Sequence, residues 1–249
     1  VNGKILKKLR TISKSKMGSF LNCRYGFKLN YIDGLPADPN PFLKRGTDVH
    51  NFHETFLKRV IIKDGKLVIP DFKTEETITN ANYKRNILHY HIDRWKKCLE
   101  EKGEMHAEKY FMPIVNEEKI LLPHLELIGI PDVVERGFDD KPVPVEVKTG
   151  TPNARKVKDY KHDLVWYKLL FEAKYPDYPP IDRGLIYFPE SNYTYTHTIT
   201  DADVMELSRK IAQVRQDIVE CIEKNTWPAT PETNKCGWCL HRKKCEYKK

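Results

Sequence analysis

No apolar run in this 249-residue chain approaches the roughly 20 residues that a membrane span needs, so no membrane association is expected. No signal-peptide pattern opens it, which sets the expectation of an intracellular, cytoplasmic location. A GxxxxGK[ST] phosphate loop is missing, which excludes a recognisable ATP motor within the chain. Internal repeats and low-complexity segments are absent too. Acidic charge is in the minority: 35 Asp and Glu stand against 43 Lys and Arg, a formal charge of +8. That imbalance agrees with a polyanionic partner without requiring one. What is present, 40% hydrophobic and 31% charged residues, reads as a soluble globular chain with ample length for a core.

Cysteine is scarce and unevenly spread: Cys23, Cys98, Cys221, Cys236, Cys239 and Cys245. Disulfides are not expected in an intracellular protein, and the crowding of three thiols near the C-terminus points to a metal. Cys236-x2-Cys239-x5-Cys245 makes a metal clip, for which zinc with His241 as fourth ligand is one reading. Cys98 and Cys221 fall on apolar helical stripes, where packing explains them.

The coarse pattern places helices first. Residues 13–32 read as helical, "GLPADPNP" as a break, and a second helix starts near Gly46 and runs through "TDVHNFHETFLKRV". Residues 82–103 are the clearest amphipathic helix, with Ile87, Leu88, His91, Ile92, Trp95, Cys98 and Leu99 at helical spacing. The period then changes. "HAEKYFMPIV", "KILLPHLELIGIPDVVER" and "KPVPVEVKTG" read as strands, the last two joined into a hairpin through "GFDD". A helix over "DLVWYKLLFEAKY", two strands in residues 183–200, and a helix opened by the capping-box-like Thr200–Asp203 follow. Its stripe is Val204, Leu207, Ile211, Val214, Ile218 and Cys221, and "TWPATPETN" is a linker by composition. This order predicts an α/β core with a central mixed sheet flanked by helices and a helical elaboration. We expect one domain, 1–249, made of a mainly helical part (1–105), an α/β core (106–227) and a cysteine-rich tail (228–249).

Within "VPVEVKTG" the chemistry becomes specific. Side chains two apart on a strand share a face, so Glu146 and Lys148 point one way while Val145 and Val147 pack the other. Burying two charges is costly unless they are paired or serve a ligand. Asp132 precedes the neighbouring strand, so a hairpin through "GFDD" can bring Asp132 and Glu146 to one cavity. Two converging carboxylates suit Mg²⁺ or Mn²⁺, with Lys148 placed to orient or help deprotonate water or to neutralise a phosphate oxygen. A structural ion pair is the bland alternative.

Pro131-Asp132 followed by Glu146-Val147-Lys148 resembles the motif of RecB-like PD-(D/E)xK nucleases. "RGTDVHNFHE" looks like the helix of that family that gives a histidine to the metal, here His50, with Glu54 one turn on. The family's Gln-x-x-x-Tyr helix finds Tyr167 matched, while Asp163 stands where glutamine is usual and cannot donate as an amide can. One subgroup holds a 4Fe–4S cluster on one N-terminal and three C-terminal cysteines. Cys23, Cys236, Cys239 and Cys245 match that arrangement, with Arg24 where a proline is usual after the first. The resemblance is nearest to the CRISPR-associated adaptation nuclease, with AddB-type repair nuclease domains as relatives, although the segment between His50 and Asp132 is longer than usual. It implies a restriction-endonuclease-like core with the cysteine-rich tail closing onto the N-terminal segment. It further implies a metal-dependent DNA nuclease acting on single strands or ends, as an exonuclease with endonuclease activity. Asp132, Glu146, His50 and the Val147 carbonyl would bind Mn²⁺ or Mg²⁺, Lys148 would assist the water, and Tyr167 would place the strand. Partners in CRISPR adaptation or a helicase–nuclease assembly would follow. Arg155, Lys156, Lys158 and Lys161, just before the Tyr167 helix, are candidates for phosphate contacts or else a solvated helix approach.

Overall fold

A computed structural model of the chain describes residues 9–38, 41–72 and 81–249, so residues 39 and 40 of the "GLPADPNP" break lie outside it. The chain divides into two compact units, Phe42–Ile120 with Ile130–Val204, and Val1–Pro41 with Leu121–Gly129 and Met205–Lys249.

The first unit is built on a five-stranded mixed sheet in the order β10-β9-β8-β7-β4, with β4 at Val115–Asn116, β7 at Val133–Arg136, β8 at Pro142–Val147, β9 at Arg183–Phe188 and β10 at Tyr193–Thr198. All six residues of β8 are buried, as a strand covered on both faces requires. β7 and β8 form the expected antiparallel hairpin, closed by the Gly137 N–H donating to the Lys141 carbonyl at 2.8 Å. β8 and β9 run parallel, so a crossover must connect them, and the helix α6 (Ala154–Lys174) lies in that connection.

Helix α3 (Pro41–Arg59) starts earlier than Gly46, because Pro41 supplies a first helical position whose missing N–H costs nothing. Val49, Phe52, His53 and Phe56 recur at helical spacing and are buried. Between α3 and α4 (Ala81–Lys102) the sequence reading missed a hairpin, β2 (Ile61–Lys63) with β3 (Lys66–Val68). Its turn is Asp64-Gly65, both at positive φ, the geometry that a two-residue hairpin favours. The strand expected over residues 106–115 is instead mostly a helix, α5 (Glu104–Phe111). Ala107, Tyr110 and Phe111 are buried at i, i+3 and i+4, a helical spacing, and Pro113 forces the preceding Met112 into extended backbone. The core gathers Phe52, Phe56, Ile87, Trp95 and Phe111 against Val133, Val145 and Tyr187 of the sheet.

In the second unit, β1 (Ile12–Ser13) pairs parallel with β6 (Leu127–Gly129), which also borders β5 (Ile120–Leu122). The helix expected over 13–32 is segmented. Helix α1 (Lys14–Asn22) is capped by Ser13, whose hydroxyl accepts from the Lys16 N–H at 3.1 Å. Cys23 is extended and caps the short α2 (Arg24–Phe27), and a π-turn covers Lys28–Ile32. Helix α7 (Asp201–Glu223) buries Leu207, Ile211, Val214, Ile218 and Cys221, the stripe read from sequence, and Thr200 with Asp203 forms the reciprocal cap. After α7 come α8 (Thr233–Gly237) and a 3₁₀ turn at Arg242–Lys244. The tail closes onto the N-terminal segment: Thr230 donates to the Asn22 carbonyl at 2.8 Å, Lys243 N–H to Asp38 at 3.1 Å, and Tyr25 to Glu246 at 2.6 Å. None of the described helices is long and apolar enough to cross a membrane.

Candidate metal centre

Asp132 sits in the bend that enters β7, and the hairpin register sets it beside the end of β8. Its Oδ2 accepts the Val147 N–H at 2.8 Å, and its Oδ1 accepts the Tyr167 hydroxyl at 3.2 Å. The Glu146 carboxylate also acts on Tyr167, which burial, Asp132 and Glu146 together hold well above the usual phenol value. His50, from α3, brings Nδ1 to 3.5 Å from Asp132 and 3.4 Å from Glu117. One ligand atom each from His50, Glu117 and Asp132 lies within 4.8 Å of the others. Glu54, one turn beyond His50, pairs with Lys58.

Glu117 is the residue that sequence reading missed. It follows β4 at a φ of 50°, with its N–H donating to the Asp132 carbonyl at 3.0 Å. The adjacent Glu118 turns to Lys174 and to Tyr175. Nothing in "VNEEK" separates the two glutamates; only the backbone turn does.

The electrostatics are those of a site short of positive charge. Burial pushes the Asp132 carboxyl up to about 7, with the Glu146 carboxylate the next cause. Burial alone would lower the His50 imidazole, but Asp132, Glu117 and Glu146 outweigh it and raise it. Lys148, immediately after β8, contacts Glu146 and holds Asp163 at 3.0 Å. Burial works against its charge, yet Glu146, Asp163 and Asp132 hold its pKa well above the usual lysine value. Asp163, which stands where the Gln-x-x-x-Tyr pattern has glutamine, therefore serves as an ion-pair partner of the lysine. The Tyr160 ring lies under the Lys148 ammonium at 4.7 Å.

The model of the PD-(D/E)XK nuclease superfamily matches residues 11–246. The chain belongs to that superfamily. Membership implies metal-dependent nuclease activity on DNA, with Mg²⁺ or Mn²⁺ as the ion, and the mixed α/β fold agrees with its restriction-endonuclease-like core. No curated protein matches the chain. The residues present fit a superfamily metal: two carboxylates and an imidazole bring ligand atoms together, with Glu146 acting on Asp132 from the next strand, and a divalent ion would relieve the repulsion that adds to burial in raising Asp132.

The four basic residues do not precede the Tyr167 helix but occupy its first two turns, since α6 begins at Ala154. Asn153 caps it by accepting the Lys156 N–H at 2.9 Å, which extends the helix beyond its apolar stretch. Lys156 donates to the Thr151 carbonyl at 3.0 Å and Lys161 pairs with Asp203 at 3.2 Å, while Arg155 and Lys158 are exposed.

In the other unit, Cys23, Cys236, Cys239 and Cys245 line one cavity of about 30 Å³. Among the described residues, no three of their sulfurs come within 4.8 Å of one another. A single zinc ion with bonds of about 2.3 Å would draw them closer than that. Burial would raise the Cys23 thiol, but hydrogen bonds from the Thr230 and Gly26 backbone lower it. His241, the alternative zinc ligand, is buried beside a separate cavity that includes Cys23 and Cys239 but neither Cys236 nor Cys245.

Proposed function

We propose that this superfamily member is a RecB-like deoxyribonuclease that hydrolyses single-stranded DNA or DNA ends, as an exonuclease with endonuclease activity. The observation that carries the reading is the grouping of His50, Glu117 and Asp132, with Glu146 acting on Asp132 and the half-buried Lys148 ammonium against Glu146. Asp132, Glu146, His50 and the Val147 carbonyl would hold the ion, with Glu117 joining them. A bound Mg²⁺ or Mn²⁺ would supply Lewis-acid stabilisation of charge on the phosphate and lower the pKa of water. Lys148, fixed by Glu146 and Asp163, is a preset cation for the charge that develops on the phosphate. Tyr167 holds Asp132 in place through its hydroxyl and helps set the strand. Arg155, Lys156, Lys158 and Lys161 contact phosphates, so affinity falls as salt rises.

Digestion of 5′- and 3′-labelled single strands with Mn²⁺, against an EDTA control, tests this directly. Fragments should appear only with metal, and the label released first gives the polarity. A folded protein that binds DNA yet cleaves neither strand under any divalent ion would be a noncatalytic assembly module.

In the same reading Cys23, Cys236, Cys239 and Cys245 carry a 4Fe–4S cluster, the donor set such clusters ordinarily take. By linking residue 23 to residues 236–245, it closes a loop of the order of two hundred residues and removes unfolded-state freedom. Anaerobically purified protein should contain iron and sulfide and absorb visible light, and Cys23→Ser should lose both and melt at a lower temperature. Colourless protein containing zinc alone would make the site a zinc staple. The setting this supports is CRISPR adaptation or DNA repair, beside an integrase-like or helicase partner in the cytoplasm.

A further inference from the structure

We propose that the cavity between the start of α6 and one face of β10 is a subsite for an unstacked base of a single-stranded nucleic acid. Its neighbouring phosphate would rest on Lys158 and Lys161. The inference depends on the nuclease reading for its substrate and adds to it a place on the protein where that strand is held away from the metal.

The cavity measures about 480 Å³ and is lined by Asn153, Lys158, Lys161, Tyr193, Tyr195 and His197 among others. That volume falls within the range of sites for small organic groups, about 300–1,000 Å³. Strand alternation creates its aromatic wall. β10 reads Tyr-Thr-Tyr-Thr-His-Thr, so residues 193, 195 and 197 share one face and the threonines take the other. β10 is also the outermost strand of its sheet, and Tyr193 is 45% exposed. The side chains facing them, Asn153 of the cap and Ala154 and Val157 of α6, are short, so the rings front open space.

The polar side of the void suits a phosphate. Lys161 is balanced by Asp203, but no carboxylate among the described residues pairs with Lys158. The first turn of the 21-residue α6 adds its positive dipole end. An aromatic ring and a cation side by side are what base stacking and backbone binding require, and stacking tolerates any base. Inside a duplex no base offers such a face, because each already stacks on its neighbours.

A run of ring contacts leads from the cavity wall to Lys148. Tyr193 lies 6.4 Å from Phe188, Phe188 lies 6.3 Å from Tyr160, and the Tyr160 ring carries the Lys148 ammonium.

Fluorescence anisotropy of labelled oligo-dT with the full chain, without divalent metal so that no cleavage intervenes, tests the subsite. Tyr193→Ala with Tyr195→Ala should weaken single-strand binding about tenfold, while Tyr193→Phe with Tyr195→Phe stays near wild type and duplex binding does not change. Lys158→Ala should lower the salt slope by about one. A measurement needing no variant scans one abasic position along a strand cut to the length of the binding site, so that it cannot slide, against wild-type protein, and affinity should drop at a single register. Equal affinity for the alanine pair, or no abasic register, overturns the subsite. The two failures separate, since missing Mn²⁺-dependent cleavage counts against the nuclease reading and unchanged binding counts against this one.

Discussion

Glu146→Gln should abolish Mn²⁺-dependent cleavage of single-stranded DNA while leaving the protein folded. The carboxylate is 1% exposed, touches the Lys148 ammonium, and acts on Asp132 across the hairpin. Glutamine keeps the shape and the acceptor for Lys148 but removes the negative charge that a cation needs. Changes one layer outside a metal already cost about 10–100-fold, so the loss at Glu146 should exceed about 100-fold. Without metal the variant should melt close to wild type, because the neutral amide removes a repulsion that helps push Asp132 up to about 7 but also weakens the pair with Lys148, which Asp163 still holds. Lys148→Ala should be equally inactive, by about 10²–10³-fold from lost charge stabilisation alone. It should also be less stable, because Glu146 and Asp163 lose their shared cation. Rates under single-turnover conditions and thermal melts with and without Mn²⁺ decide the point. Wild-type rates in both variants would remove these roles.

Acid should unfold the sheet-bearing unit through two core histidines. His53 on α3 and His91 on α4 lie ring to ring at 4.9 Å, with His91 also stacked on Phe56 at 4.6 Å. Among the described residues, neither His91 nitrogen nor His53 Nε2 has a hydrogen-bond partner. Burial, then the neighbouring His50, holds His53 down to about 3; burial, then His53 and Arg94, holds His91 well below its usual value. Both folded values lie below the unfolded one, so this stability is fully present above about pH 6.5 and is lost as pH falls towards 3. Each histidine contributes a slope of about 1.4 kcal/mol per pH unit. Asp132, raised to about 7, works the opposite way between about 7 and 4, so the net slope there is nearer that of one proton and steepens below. His91→Leu should remove one proton from the slope and cost little at pH 7, since the ring makes no hydrogen bond. Denaturant titrations from pH 7 to 4 measure this, and an unchanged slope in the variant would refute it.

Much of the fold was readable because its signals are local. Hydrophobic stripes at helical spacing placed the helices around Trp95 and Ile211, and the apolar alternation around "GFDD" placed the β7–β8 hairpin. Where local signals compete, reading failed. Residues 106–112 mix aromatic and polar residues in a way that two periods fit, and packing chose the helix. The start of α6 was misplaced because its first two turns are basic and solvated, so no apolar stripe announces them.

By itself the amino-acid order determined which acids and which amine would meet, since a tight hairpin fixes the register between Asp132 and the end of β8. It also singled out the thiols that could share a site, through their spacing. Only the tertiary structure chose Glu117 over Glu118, turned Asp163 into the partner of Lys148, and left a void in front of Tyr193 and Tyr195. Those outcomes depend on where distant segments come to rest, and a side chain's neighbours across space leave no periodic mark along the chain.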